Sequence, residues 1–237
     1  MQKIQYTIMA ELEDEHWWFL AKRKFIRSLL PPAKGELSIL DIGCGTGGTS
    51  KFLTQWGDVT GIEQSVFAFP YLKKLRFPFI AVSIEDYSPA KGSFDLICIL
   101  DVLYHKNIRN DQKVLNKVFM LLRPGGFLCI TDCALPSFFS HHDTVMEART
   151  RYSLPELITK VETAGFRVTR ASYIYFFVFP LFLVQRLLNK FLRFSTVNRV
   201  SSGMNDLLLL LCTLEAWLLQ YVNFPIGSSV IILAKKM

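Results

Sequence analysis

The sequence lacks any run of about 20 apolar residues, the length a helix needs to cross a bilayer, although 51% of its 237 residues are hydrophobic and 20 are Phe. Its most apolar stretches, YIYFFVFPLFLV (173–184) and LLLLLCTLEAWLL (207–219), stop short of that length. Residues 1–9 lack the apolar segment of a signal peptide, so the chain is expected to stay in a reducing cytoplasm. Cysteines are few, five in number, odd and scattered, which excludes a disulfide framework. Cys98 and Cys129 fall inside apolar runs and read as inert core thiols. Cys129, Cys133, His141 and His142 match no common zinc spacing, so no metal is expected. Acids are also under-represented: 20 against 27 bases give a net charge of +7, which favours acidic partners such as an anionic membrane surface or a phosphorylated substrate. The bases are dispersed and not interleaved with aromatics, so nucleic acid is not expected.

Against these absences stands one dense stretch, ILDIGCGTGGT, from Ile39 to Thr49. A short apolar strand ends in Asp41, and Gly43, Gly45, Gly47 and Gly48 follow. A strand, a glycine loop and a helix start let backbone pass close under a ligand where a Cβ would clash. The helix N-terminus adds free N–H groups. Two templates fit. Gly43, Gly45 and Gly48 match the dinucleotide pattern G-x-G-x-x-G. Asp41, Gly43, Gly45 and Gly47 match D-x-G-x-G-x-G, in which the acid suits a ligand carrying an ammonium group and no pyrophosphate.

The rest of the chain reads as alternating helices and strands. Ala10 to Leu30 is expected to be one helix, ended by Pro31 and Pro32. Val59 to Ile62 is a strand closed by Glu63, 20 residues after Gly43, where a doubly wound fold holds ribose hydroxyls; a solvated loop acid is the alternative. Phe79 to Val82 is the third strand. FDLICIL (Phe94 to Leu100) is apolar throughout, as at the centre of a parallel sheet, and DVLYH (Asp101 to His105) stands at its ligand-binding end. A helix over Asp111 to Leu122 precedes a turn at Arg123 to Gly126 and a fifth strand, Phe127 to Thr131. Asp132 to Tyr152 reads as a long loop rich in titratable side chains. Ser153 caps the next helix, and Phe166 starts the sixth strand. Residues 173–226 read as a helical insertion, either an extra core layer closing a pocket or a surface that meets a membrane. Val230 to Ala234 is the last strand.

The motif at Asp41, FDLI…DVLYH and LLRPGG before the fifth strand together resemble class I S-adenosylmethionine (SAM) methyltransferases. The leader E-x-x-H-W-W-F (Glu13 to Phe19), SHHD…RTRY and the ending PIGSSVIILAKK resemble a bacterial type 11/12-like group with an N-terminal H-W-W-F leader, in which the leader helix lies over the cofactor mouth. In that group a further His usually precedes R-R-Y; here Met146-Glu147-Ala148 stands there. The resemblance implies a Rossmann-like α/β fold: a seven-stranded, mostly parallel sheet whose last strand enters antiparallel between strands five and six. The whole chain, 1–237, is one domain with a helical cap (1–32) and the apolar insertion (173–226).

The resemblance also implies the site. Asp41 lies near the methionine amino group, with Gly43, Cys44, Gly45 and Gly47 beneath it. Glu63 and Gln64 face the ribose. Ser83 and Ile84 flank the adenine, with Ser83 standing where the family usually has an acid. Leu100 and Asp101 line the cofactor. The implied reaction moves a methyl group from SAM to an O, N or C atom of a small, hydrophobic acceptor, with His142 and His105 as general bases, then Asp143 and Tyr152. His105 reads equally as a cap of the next helix. Two alternatives remain: a membrane-associated methyltransferase of a lipid or lipid-linked glycan, and a non-catalytic SAM-binding protein. Peripheral contact with the inner membrane face and a homodimer stay open.

Overall fold

The computed structural model describes residues 3–32, 35–189 and 200–237, and the side chains of all of these except 141, 142 and 185–189. Two helices, α1 (Lys3–Leu12) and α2 (Trp17–Leu29), precede the first strand. Alternation follows: β1 (Leu37–Ile42), α3 (Gly48–Leu53), β2 (Gly57–Ile62), α4 (Phe69–Lys74), β3 (Phe79–Ile80), β4 (Phe94–Leu100), α5 (Asp111–Leu121) and β5 (Leu122–Cys133). Then come α6 (His141–Val145), α7 (Leu154–Thr163), β6 (Phe166–Ile174), α8 (Phe179–Asn189), α9 (Ser202–Leu218) and β7 (Ser229–Lys236).

Among the described residues the strands form one seven-stranded sheet in the order β3-β2-β1-β4-β5-β7-β6. All neighbouring pairs are parallel except those of β7, which runs antiparallel between β5 and β6. The order reverses between β1 and β4, and in open α/β sheets the crevice at that reversal is where ligands bind. β1 and β4 are buried on both faces, and their apolar runs, SILDI and FDLICIL, supply both cores at once. Leu40, Ile97 and Ile99 pack toward α5 and α7, whereas Ile39, Leu96 and Cys98 pack toward α2 and α9.

The insertion forms part of that second layer. Leu208, Cys212 and Ala216 of α9, with Leu219 just past its end, at helical spacing, face Ala21, Phe25 and Ile26 of α2. Glu215 is fully buried on the same side. Its carboxylate accepts the N–H groups of Phe176 at 2.9 Å and Phe177 at 3.1 Å, pinning α9 to the end of β6. Burial raises its pKa. The first apolar run is divided between the end of β6 and α8, and Pro180 sits in the first turn of α8, where its missing N–H costs nothing.

Four expectations are corrected. The leader is two helices: His16 accepts the N–H of Trp18 as N-cap of α2, and residues 13–16 turn between α1 and α2. β3 is shorter than Phe79 to Val82. The Arg123 to Gly126 turn lies inside β5, which begins at Leu122 and pairs there with Phe94. The Asp132 to Tyr152 segment is no simple loop, since Pro136–Phe138 form a 3-10 turn and α6 follows.

Candidate active site

At the reversal of strand order the backbone after β1 adopts positive φ at Gly43 (+71°), Gly45 (+56°) and Gly47 (+95°). A Cβ on Gly43 would stand 2.6 Å from Cγ2 of Val102, so the turn owes its closeness to β4 to the missing side chain. Asp41, buried at the end of β1, accepts the hydroxyl of Ser50. Burial, with the nearby Glu63 charge adding to it, pushes Asp41 up to about 7. Glu63 accepts the N–H groups of Gly45 (3.0 Å) and Ser65 (2.8 Å), and burial raises its pKa too. Cys44 is buried beside the loop, its thiol pushed up by burial.

A third carboxylate arrives from the leader. Glu13 Oε2 accepts the Thr46 hydroxyl at 2.6 Å and the Gly48 N–H at 3.1 Å. The loop therefore faces Asp41, Glu63 and Glu13 together. A pyrophosphate would meet three carboxylates there, whereas a ligand with an ammonium group and a vicinal diol finds an acceptor for each. The residues present fit SAM and do not fit a dinucleotide.

One cavity of about 900 Å³ runs from this loop past the ends of β4 and β5. Asp41, Gly43, Cys44, Gly45, Glu63, Gln64, Leu100 and Asp101 all line it. A small adjoining pocket of about 30 Å³ is lined by Ser83, Ile84, Ile62 and Val102. Ser83 is engaged locally, its hydroxyl donating to Asp86 Oδ2 at 2.7 Å and accepting the Asp86 N–H at 3.1 Å. Asp101 takes φ +58°, and its carboxylate accepts the Thr131 hydroxyl at 3.0 Å and the Lys22 ammonium.

The cavity is also lined by apolar Trp17, Val178, Leu181, Phe182 and Leu208, and by His105, Asp143 and Glu147. His105 Nδ1 accepts the N–H of Asn107 at 3.2 Å, and Nε2 lies 3.6 Å from Glu147 Oε2. Burial is the main cause that pushes this imidazole down to about 4, so it is neutral at physiological pH and a poor proton acceptor. Asp143 is buried and fully engaged, accepting Arg151 Nε at 2.8 Å and both the N–H and hydroxyl of Ser140. Tyr152 is corrected: it is fully buried behind the cavity wall, donating to Asp111 Oδ2 at 2.8 Å, with burial pushing its pKa up. His142 belongs to α6 by its backbone, but its side chain lies outside the described residues. Lys190, Arg193 and Arg199 likewise lie outside them.

Sequence reading missed Tyr6, Met9 and Lys22, which also line the cavity. Tyr6 is pushed up to about 12 by burial and then by the Glu63 charge, and it packs in one cluster with Cys44 of the glycine loop. The i, i+3 spacing of Tyr6 and Met9, extended to Glu13, was the available signal for a helix over the loop.

A family model for a methyltransferase domain matches residues 33–172, more than half of the chain. A human thiol S-methyltransferase is 32% identical over 102 residues, 39% of this chain and 41% of that protein. An O-methyltransferase of Pyrenophora dematioidea is 28% identical over 155 residues, covering 59% and 57%. The chain thus spans about half the length of these curated relatives. A SAM-dependent methyltransferase from Archaeoglobus fulgidus shares the fold, with a TM-score of 0.65 at 15% identity over 98% of this chain and 99% of that one.

Proposed function

The chain belongs to the class I SAM-dependent methyltransferase family, and we propose that it transfers a methyl group from SAM to a small acceptor with an apolar body. The observation that carries this reading is the continuity of the cavity, from the loop with its carboxylates to a wall of Trp17, Leu181, Phe182 and Leu208. A volume of about 900 Å³ suits a cofactor and a modest acceptor together. SAM supplies a methyl group on a positively charged sulfur. Asp41 accepts the ammonium end, Glu63 the ribose hydroxyls, and Ser83 and Ile84 flank the adenine.

On the acceptor side the chain's work is orientation and exclusion of water. Asp101, fixed by Thr131 and Lys22, sets the edge of the sheet where the two ligands meet. Neutral His105 offers a hydrogen bond and takes no proton. Asp143 anchors the α6 turn through Arg151. His142 is then the base that removes a proton from an oxygen or nitrogen acceptor. Oxygen, nitrogen and carbon acceptors follow from the sequence reading, and the name of the human relative adds sulfur.

Calorimetry with SAM, followed by release of S-adenosylhomocysteine against a panel of apolar phenols, amines and thiols, tests the proposal. SAM binding with product from at least one class supports it. Tight SAM binding with no product from any acceptor would replace it with a SAM-binding role without catalysis.

A further inference from the structure

Helix α9 has a second face that is exposed among the described residues. Leu207, Leu210, Leu214, Trp217 and Tyr221, spaced 3, 4, 3 and 4 along the sequence, are all exposed, Leu210 at 65%, Trp217 at 54% and Tyr221 at 67%. They fall on the side opposite Leu208, Cys212, Glu215 and Ala216, which are buried against α2 and the end of β6. Within Ser202–Leu218 the charged residues are Asp206, near the start, and buried Glu215, so the stripe from Leu207 onward carries no charge. Trp217 and Tyr221 pack edge to face at one end, 5.5 Å between ring centroids, where amphipathic rings sit at a membrane interface. The guanidinium of Arg170 donates to Leu219 O at 2.8 Å, which sets a cation beside that aromatic end.

We propose that this face of α9 docks on an anionic membrane surface, the helix lying in the interface plane. Among the described residues no helix is long and apolar enough to cross a membrane, so the contact is peripheral. Charge selects the bilayer over a second copy of the chain. The net charge is +7, and between Glu162 and Asp206 the sequence holds no acid and six bases. Two copies of a chain of net charge +7 repel each other, whereas acidic headgroups offer a complementary charge.

The same elements border the acceptor end of the cavity. Leu181 and Val200 line it and are themselves exposed, which makes its rim apolar, and Leu208 of α9 lines it from the helix's buried face. Resting on the methyl-transfer reading, this further implies that the acceptor partitions into the bilayer and enters from there.

Flotation with vesicles of equal parts phosphatidylcholine and phosphatidylglycerol, and of phosphatidylcholine alone, tests the docking. The protein is expected to float with the anionic vesicles, less so at high salt, and scarcely with the neutral ones. Leu210→Glu and Leu214→Glu should each lower the floated fraction's partition coefficient about tenfold, the scale of one leucine withdrawn from apolar contact. Both positions are exposed, so melting temperature and SAM affinity should hold. Absence of flotation with anionic vesicles, or flotation undiminished in both variants, overturns the proposal. A stable dimer that Leu210→Glu splits, without vesicle binding, overturns it in favour of a second copy. Calorimetry with SAM on the same preparation separates the two readings. Docking without SAM binding would sink the enzyme assignment alone; SAM binding without docking would sink this inference alone.

Discussion

The carboxylate of Glu13 occupies the space that the missing side chain of Gly48 leaves open. A Cβ on Gly48 would stand 2.4 Å from Cδ of Glu13, whose Oε2 accepts the Gly48 N–H at 3.1 Å. The leader is thereby latched to the loop that holds the cofactor. Glu13→Ala should leave the Gly48 N–H and the Thr46 hydroxyl without this acceptor, at roughly 1–3 kcal/mol, and lower the melting temperature by about 2–4 °C per kcal/mol. SAM affinity should fall about tenfold as α1 loosens over the loop. Glu13→Gln keeps an acceptor oxygen and should restore most of both. Calorimetry and thermal melts check this. Tighter SAM binding in Glu13→Ala would instead mean that Glu13 competes with the methionine carboxylate for the same N–H.

Gly45 sits at φ +56° with its N–H bonded to Glu63. A valine there combines β-branching with positive φ, and its Cβ would meet Cε of Met9 at 3.0 Å. Gly45→Val should therefore abolish measurable SAM binding. The wild-type protein should bind SAM and not NAD, because the loop faces Asp41, Glu63 and Glu13. Calorimetry showing NAD bound more tightly than SAM would overturn the cofactor assignment.

Asp41 makes cofactor binding pH-dependent. Burial raises its folded pKa to about 7, above the value near 3.9 of an unfolded chain. Between those values the folded protein holds the extra proton. The contribution of this group to stability is therefore fully present at low pH and is lost as pH rises through about 7. Binding an ammonium group needs the ionised form, so SAM affinity moves the other way. It should be several-fold weaker at about pH 6 than at about pH 8, one unit either side of that value. Asp41→Asn should bind weakly and flatten the dependence. Calorimetry across that range decides it; an affinity that is constant with pH would remove Asp41 from contact with the ammonium.

Much of this site was legible because its signals are local. FDLICIL announces a central strand, and Asp41, the glycines and Glu63 keep the spacing that a strand, loop and helix impose. What escaped was set by distant partners. Glu11 to His16 is compatible with helix, yet the leader breaks there. Glu13 turns to the glycine loop, and Asn205, far along the chain, accepts the Trp17 N–H at 2.8 Å and donates to Glu15 O at 3.1 Å. Tyr152 looked like an active-site hydroxyl because it closes a polar segment, but its partner, Asp111, belongs to a helix that sequence order does not place beside it. Lys22 drew no reading from the sequence, though its ammonium reaches Asp101 at the end of β4.

The ion pair of Asp143 with Arg151 is almost wholly buried, at 2% and 3% side-chain exposure, and Arg151 also donates to Ala134 O at 2.8 Å. Removing one partner leaves the other charged and desolvated, at about 3–5 kcal/mol. Asp143→Ala should accordingly lower the melting temperature by on the order of 10 °C, with turnover lost alongside stability. Asp143→Asn should retain more of both, since its carbonyl oxygen still accepts from Arg151. A variant Asp143→Ala that melts like wild type but is inactive would point to a direct catalytic role instead.

His142 offers the sharper test of chemistry, because its neighbours have other tasks. Asp143 has both oxygens engaged, Tyr152 lies outside the cavity, and His105 is kept neutral by its burial, its Nδ1 accepting the N–H of Asn107. The α6 turn carries His142 directly before Asp143, which lines the cavity. His142→Ala should lower turnover by about 10² or more, the scale of losing a general base. SAM affinity should change little, since Asp41 and Glu63 are on β1 and just beyond β2. If His142 only orders the loop, melting temperature and acceptor affinity will fall together while turnover at saturation stays near normal. A carbon acceptor already activated as an enolate would also make a base dispensable, and the loss would then be small at every pH. Steady-state kinetics with the melting temperature, on an acceptor found by the product panel, separates these outcomes. Near-normal turnover at saturation takes His142 out of the reaction.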